Sequence, residues 1–262
     1  MLGRSVLKSR LKAFSIHLSI SALAFFVILY FILLHWYPSP HFAVNGGWQG
    51  VRIMLFVDIV LGPVLTLILF NPTKVKSDII LDLSIIAIIQ ISAFIWGVYA
   101  VHSQRPVGIT LNTVTHSFYP ILEDDLSIQE KTVSDLYTIN SKGQPPVFFA
   151  REAVTDEEQA GAFAYEFIEG VPEYKLLFLL DPVNQHIDEI FDLSLEKSKY
   201  PIKKFITYRT EYLEKNNYEE DELAFVPFEG RYGYSLLVFN RSGEIIDAVP
   251  DPRYGDSFKL FF

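Results

Sequence analysis

Hydrophobic positions fall into two regimes along this chain. Up to about residue 101 they come in long unbroken runs; beyond it they come in short alternating or helix-spaced groups. The runs are 13–37, 51–70 and 79–101. At 1.5 Å rise per residue, the twenty residues of 51–70 match a hydrocarbon core of about 30 Å. Each run therefore predicts a transmembrane helix. The first follows Arg4, Lys8, Arg10 and Lys12. It exceeds the roughly 7–15 apolar residues of a cleavable signal and has no small-x-small site after it, so it is expected to stay as an uncleaved helix ending at His35, Trp36 and Tyr37. Pro38-Ser39-Pro40 ends this helix, Asn45-Gly46-Gly47 turns the chain into the second, and Asn71-Pro72 closes the second. Trp96, Tyr99 and His102 mark the end of the third.

After Arg105-Pro106 the pattern shortens. Val107, Ile109 and Leu111 alternate as in a strand, with 118–122 as the hairpin partner. A loop, Lys142-Gly143-Gln144-Pro145-Pro146, precedes a short strand at 147–150. Thr155 with Glu158 three residues on is a capping box, and the helix it opens places Ala160, Phe163, Ala164 and Phe167 on one apolar face. The run 174–180 reads as a buried strand stopped by Asp181-Pro182. Ile187, Ile190 and Phe191 predict a short helix, and Pro201 separates it from a helix over 203–216. Strands at 223–228 and 234–239 follow, and Asn240-Arg241-Ser242-Gly243 turns the chain into a last strand at 244–249. No internal repeat appears. The expected architecture is an α-helical membrane anchor of three transmembrane helices, residues 1–102, followed by an α+β extracytoplasmic domain, residues 103–262, large enough for its own core.

Charge orients this arrangement. Six of the Lys and Arg residues lie before the first run or in the loop after the second, and the loop 38–50 carries none. The positive-inside rule then places the N-terminus in the cytoplasm and everything after the third helix outside. Residues 1–101 carry a net charge of +4 and residues 102–262 one of −13. So acidic a domain argues against nucleic acid or anionic lipid as its partner. The chain has no cysteine, which excludes disulfides, thiol catalysis and Cys-zinc sites.

Candidate chemistry concentrates in the second run. Asp58 lies near its middle, where a carboxylate costs about 2.5–3.5 kcal/mol on insertion scales and so turns toward other helices or takes a proton. Gly62 and Pro63 follow one turn later, and Pro63 leaves the Ile59 carbonyl without its helical partner, which predicts a kink. Counting depth from the helix ends places Gln90 at the level of Asp58, and His17 and Asp82 at a common level near the inner ends. Two readings of these residues stay open. Asp58, Gln90, His17 and Asp82 hold the three helices together through interhelical hydrogen bonds; or the surface of Asp58, Leu61, Gly62, Pro63, Leu65 and Thr66 receives a helix of another protein. A proton or ion path needs more embedded acids than these runs supply. Elsewhere no phosphate loop, G-x-S-x-G, H-E-x-x-H or calcium loop occurs, so neither an enzyme nor a cofactor or metal is expected. His186 near Asp188 and Glu189 is too thin a set for a metal, the acid pairs read as solvated faces, and Tyr232, Tyr234 and Tyr254 form a candidate aromatic contact surface.

These motifs, taken in order, resemble a known family. Lys12-Ala13-Phe14 with His17, Trp36-Tyr37-Pro38-Ser39-Pro40, Gly46-Gly47-Trp48, the stretch from Asp58-Ile59-Val60-Leu61-Gly62-Pro63 to Thr66, Phe70-Asn71-Pro72, Asp82-Leu83, Gln90, Gly97-Val98-Tyr99 and Arg105-Pro106-Val107 are similar to the type IV pilin accessory proteins of the TfpX/TfpZ type. The likeness covers about residues 11–107 and thins beyond to 223–228 and the closing hairpin. It implies an inner-membrane protein of a Gram-negative bacterium that assists assembly of a cognate major pilin as a chaperone, with the bilayer and that pilin as its partners. It supplies no catalytic residues. The chain is not itself pilin-like, since Gly3 is followed by Arg4, Ser5, Val6, Leu7 and Lys8 rather than by the start of a mature pilin. The rival classes are a membrane-anchored periplasmic sensor or scaffold unrelated to pili, and a membrane enzyme using Asp58 or Asp82.

Overall fold

The computed structural model describes residues 2–37, 41–139, 146–195 and 203–252. Pro38-Ser39-Pro40, the loop residues Lys142 to Pro145, Pro201 and Tyr254 lie outside the described residues. The chain forms two compact units, one of Met1–Pro38 with Gly47–His102, the other of Ser39–Gly46 with Ser103–Phe262.

The first unit is helical. It contains three helices long and apolar enough to cross a membrane, Arg4–Trp36, Gly47–Leu69 and Lys76–Ser103. The first is α1, Leu2–Phe31, continued by a π turn, Ile32–Trp36. The second has three parts: α3, Gly47–Leu55, a π turn at Phe56–Leu61, and α4, Gly62–Leu69. The third is α5, Lys76–Ser103. The kink expected at Pro63 takes the form of that π turn. Gly62 N–H bonds to the Val57 carbonyl, one residue further back than in an α-helix, so the ladder widens just before Pro63. α5 meets the others through Ile86, Gln90 and Gly97, and the Tyr37 hydroxyl donates to the Val101 carbonyl at its end (2.9 Å). Leu23, Phe26, Ile68, Ile88 and Trp96 point outward, as lipid-facing side chains do.

The second unit is α+β with a mixed seven-stranded sheet in the order β4-β3-β1-β2-β5-β6-β7. The strands are β1 Pro106–Asn112, β2 Ser117–Leu122, β3 Val147–Ala150, β4 Leu180–Pro182, β5 Leu223–Gly230, β6 Gly233–Asn240 and β7 Ile245–Pro250. β1–β2, β5–β6 and β6–β7 pair antiparallel; β1–β3 and β2–β5 pair parallel. β5 is buried over six consecutive residues because helices cover both faces. On one face Ala224, Val226 and Phe228 pack with Ile190 and Phe191 of α9, Ile187–Asp192. On the other, Phe225 and Leu223 pack with Phe205 and Leu213 of α10, Lys203–Asn216. Leu126 of α6, Glu123–Ser127, and Leu136 of α7, Val133–Ile139, close the face under Phe148 and Ile121.

Three features depart from the sequence reading. First, the segment assigned to the membrane anchor between its first two helices belongs to the sheet unit. It forms a single turn of helix, α2, His41–Val44, and Val44 is fully buried in the core with Ile109, Leu111 and Phe118. The Val44 carbonyl accepts from Tyr232 N–H (2.8 Å), and His41 stands edge-on against Phe228 (5.4 Å). Gly230 admits the segment, since a Cβ there would lie 2.4 Å from the Val44 oxygen. Second, 174–180 is not a strand but two 3-10 turns, Glu173–Lys175 and Leu177–Leu179, leading into β4. The buried Gln129 side chain replaces a ladder, donating to the Lys175 carbonyl (3.0 Å) and accepting from Leu177 N–H (2.8 Å). Third, the capping box opens α8, Asp156–Ala164, as expected, with Thr155 Oγ1 accepting from Glu158 N–H. Arg151 and two backbone N–H groups hold the Glu158 carboxyl down to about 2. The helix, however, packs through Ala162 and Gly161, while its Phe163, and Phe167 on the π turn that follows, face outward.

Candidate functional site

Polar side chains from all three long helices converge on one small cluster. Asp58, Gly62 and Thr66 recur every four residues along the second helix and share a face. That face turns inward: Asp58 and Thr66 are 3% and 2% exposed. From α5, Gln90 lays its amide over Gly62, where a Cβ would meet the amide oxygen at 2.1 Å. Glycine therefore makes room for the amide. Gln90 Nε2 donates to Ser21 Oγ (3.0 Å) and to the main-chain carbonyl of Asp58 (3.3 Å). Gln90 Oε1 lies 2.7 Å from His17 Nε2, and His17 Nδ1 lies 2.6 Å from the Thr66 hydroxyl. With the imidazole proton on Nε2, Thr66 donates to His17, His17 to Gln90, and Gln90 to Ser21 and Asp58, while the Thr66 hydroxyl also lies 3.3 Å from the Gly62 carbonyl. Asp58 Oδ2 is buried with no hydrogen-bond partner among the described residues.

This arrangement brings together Asp58, Gln90, His17 and Thr66 and leaves Asp82 out. Depth counting placed His17 level with Asp82, but His17 faces Gln90 and Thr66 instead. Asp82 is taken by Lys74 from the preceding loop (2.6 Å). Ser21 was missed, although its spacing of four from His17 puts the two on one face of the helix. Of the six residues expected to receive a partner helix, Asp58, Gly62, Pro63 and Thr66 are buried by the chain's own helices. Leu61 is 40% exposed and Leu65 is half-buried. The physical reason is saturation: a bare glycine and polar side chains in an apolar medium take the nearest donors, which lie on α1 and α5. Beyond His17 and Thr66 there is instead an open, mostly apolar groove of about 580 Å³, lined by Lys12, Ile16, Ile20, Phe70 and Leu83 among others.

Among the described residues, the sheet unit offers no comparable convergence of reactive groups. His186 stacks flat on Phe149 (4.2 Å) between Asp181 (3.0 Å) and Glu189 (3.2 Å), while Asp188 turns to Arg241. No group of three or more His, Asp and Glu side chains among the described residues is placed to hold a metal ion. Tyr232, expected on an aromatic contact surface, lays its ring against Gly46.

Comparison with known proteins gives three relatives from Dichelobacter nodosus. A fimbrial assembly protein of serogroup E1 is 37% identical over 99 residues, which are 38% of this chain and 35% of that protein. A fimbrial assembly protein of serogroup I is 36% identical over 98 residues, 37% of this chain and 38% of that one. A third, of serogroups C1 and C2, is 36% identical over 98 residues, again 37% of this chain but 75% of the relative. The match thus spans little more than a third of the first two relatives and three quarters of the third. No family model and no solved structure matches the chain.

Proposed function

Because the chain belongs to the fimbrial assembly protein family, we propose that it is an inner-membrane accessory protein of the TfpX/TfpZ type, a chaperone that holds a cognate type IV major pilin before assembly. In this reading the N-terminus is cytoplasmic and the sheet unit periplasmic, which the distribution of Lys and Arg supports through the positive-inside rule. A pilin subunit waiting in the bilayer is one apolar helix with a periplasmic head. It needs one surface at membrane depth and another outside. The observation that carries the proposal is the open groove along Ile16, Ile20 and Phe70, which has the dimensions to seat side chains of one apolar helix. The Asp58–Gln90 cluster beneath it keeps the groove's walls in register. Two modest contacts on one chain reinforce each other, because the first makes the second intramolecular. The role is to hold, with no catalytic step.

Photo-crosslinking tests this. A photoreactive residue at Ile16 or Ile20, both exposed in the groove, is expected to capture the pilin, and one at the equally exposed Ile88, outside it, is not. Equal capture from all three positions, or from none while pilin abundance is unchanged without this protein, overturns the reading. A strain that lacks the pilin yet shows the same phenotype on loss of this chain favours the sensor or scaffold class.

A further inference from the structure

The outward face of α8 is unusual for a helix with this pattern. Phe163, Phe167 and Ile168 are 61%, 71% and 74% exposed, and the two rings lie 4.5 Å apart, so they form a continuous apolar ridge. Phe167 and Ile168 lie on the π turn Tyr165–Glu169 that extends the helix to Gly170, which takes a left-handed φ of +73°. Beside this ridge a groove of about 610 Å³ runs past Tyr174 and the ends of β1 and β3. Its charge is one-sided. Glu152, Glu166 and Glu173 line it, whereas its cation, Arg151, is already held by Glu158 at 2.6 Å. Tyr174 registers the same field: burial first, then Tyr119, Asp125, Glu229 and Glu166, pushes its phenol up to about 12.

We infer that this groove is a docking site for a segment of a partner protein in which apolar side chains are flanked by lysine or arginine. The apolar ridge takes the hydrophobic side chains, and the carboxylates of Glu166 and Glu173, which have no ion-pair partner among the described residues, take the flanking cations. Charge complementarity decides the occupant. A second copy of the sheet unit carries the same negative charge, and an anionic lipid surface is repelled for the same reason. The inference stands on the groove's own residues and holds whether or not the partner is a pilin.

The test uses the full chain in nanodiscs and three fluorescein-labelled synthetic peptides. One carries two phenylalanines flanked by four lysines; in the second glutamates replace the lysines, and in the third serines replace the phenylalanines. Fluorescence anisotropy is expected to show binding of the first peptide alone. Phe163→Ser with Phe167→Ser should weaken it at least tenfold, Glu166→Gln with Glu173→Gln at least threefold, and raising the salt should weaken it further. The glutamine pair is isosteric, with position 166 exposed and 173 half-buried, so it keeps the test decisive if the serine pair does not fold. Binding of the glutamate peptide, or affinity that neither pair alters, overturns the proposal. With Trp36, Trp48 and Trp96 replaced by Phe, so that residue 167 carries the sole indole, quenching of Phe167→Trp fluorescence by brominated phosphatidylcholine in the disc also overturns it, since the ridge would then lie in the bilayer.

Discussion

Gln90 does more than its half-buried position suggests, because it is bonded to both other helices at once. Gly62→Ala places a methyl group where its amide lies, so the amide must leave His17 and Ser21. A loss of about 1–2 kcal/mol is expected in reversible unfolding from micelles, and the same substitution should cost clearly less in a Gln90→Ala background. Equal costs in both backgrounds would show that the glycine serves some other contact. Asp58→Asn should be nearly silent by comparison, since asparagine keeps the main-chain carbonyl that Gln90 bonds and a side chain that can still hydrogen-bond Gln90. The Asp58–Gln90 juxtaposition was legible in the sequence because depth follows from counting 1.5 Å steps. The part of His17 was not, because counting gives depth and not azimuth. Outside the helical unit, burial pushes His41 down to about 3 from 6.5. Between those values the unfolded chain binds a proton that the fold excludes. Stability of the sheet unit is therefore full above about pH 6.5 and falls toward pH 3, by up to about 1.4 kcal/mol per pH unit. Urea titrations at pH 7, 5.5 and 4 should show that slope, and His41→Gln should flatten it; parallel curves would remove His41 from the account.

At the scale of elements, the π turn at Phe56–Leu61 determines which side chains of the second helix face inward. An extra residue in one turn rotates everything before it by about 100° relative to a plain α-helix. Pro63→Ala restores an N–H and permits the plain helix, which would swing Met54 away from Gly97, whose Cβ position lies 3.5 Å from the Met54 side chain. The chain has no cysteine, so Met54→Cys with Gly97→Cys reports this directly. Crosslinking by a short bifunctional reagent should be efficient with Pro63 present and fall several-fold with Pro63→Ala; unchanged yield would mean the turn persists without the proline. Element type was legible wherever periodicity and punctuation agreed, as in β1–β2, α10 and β5–β6–β7. It failed at 174–180, where an apolar run resembles a strand but Gln129, 45 residues or more away in sequence, supplies the backbone partners. For α8 the pattern identified the stripe and gave it no direction, since periodicity shows that a face is apolar and not what covers it.

For the molecule as a whole, the proposed orientation has a direct check. A reporter active only in the periplasm should be active when fused after Arg105 and silent when fused at Lys74, and the reverse pattern would reject the charge argument. The sequence separated a membrane part from a sheet part near residue 102, and what it concealed was six residues, His41–Gly46, too few and too irregular to carry a periodicity. Their burial means that the sheet unit is assembled from two stretches of chain separated by two long helices. Inheritance is where this matters. If relatives exchange their outer halves to follow a changing partner, a recombination with one seam near residue 106 pairs a new sheet with an old Val44, and the graft is mismatched at the core before any partner is met. A graft with two seams, carrying 41–46 together with 106–262, keeps key and lock from one parent. The one-seam hybrid should therefore be scarce in the membrane and the two-seam hybrid abundant, by immunoblot. Partner preference can then be read from the second without mistaking a folding failure for a change of taste.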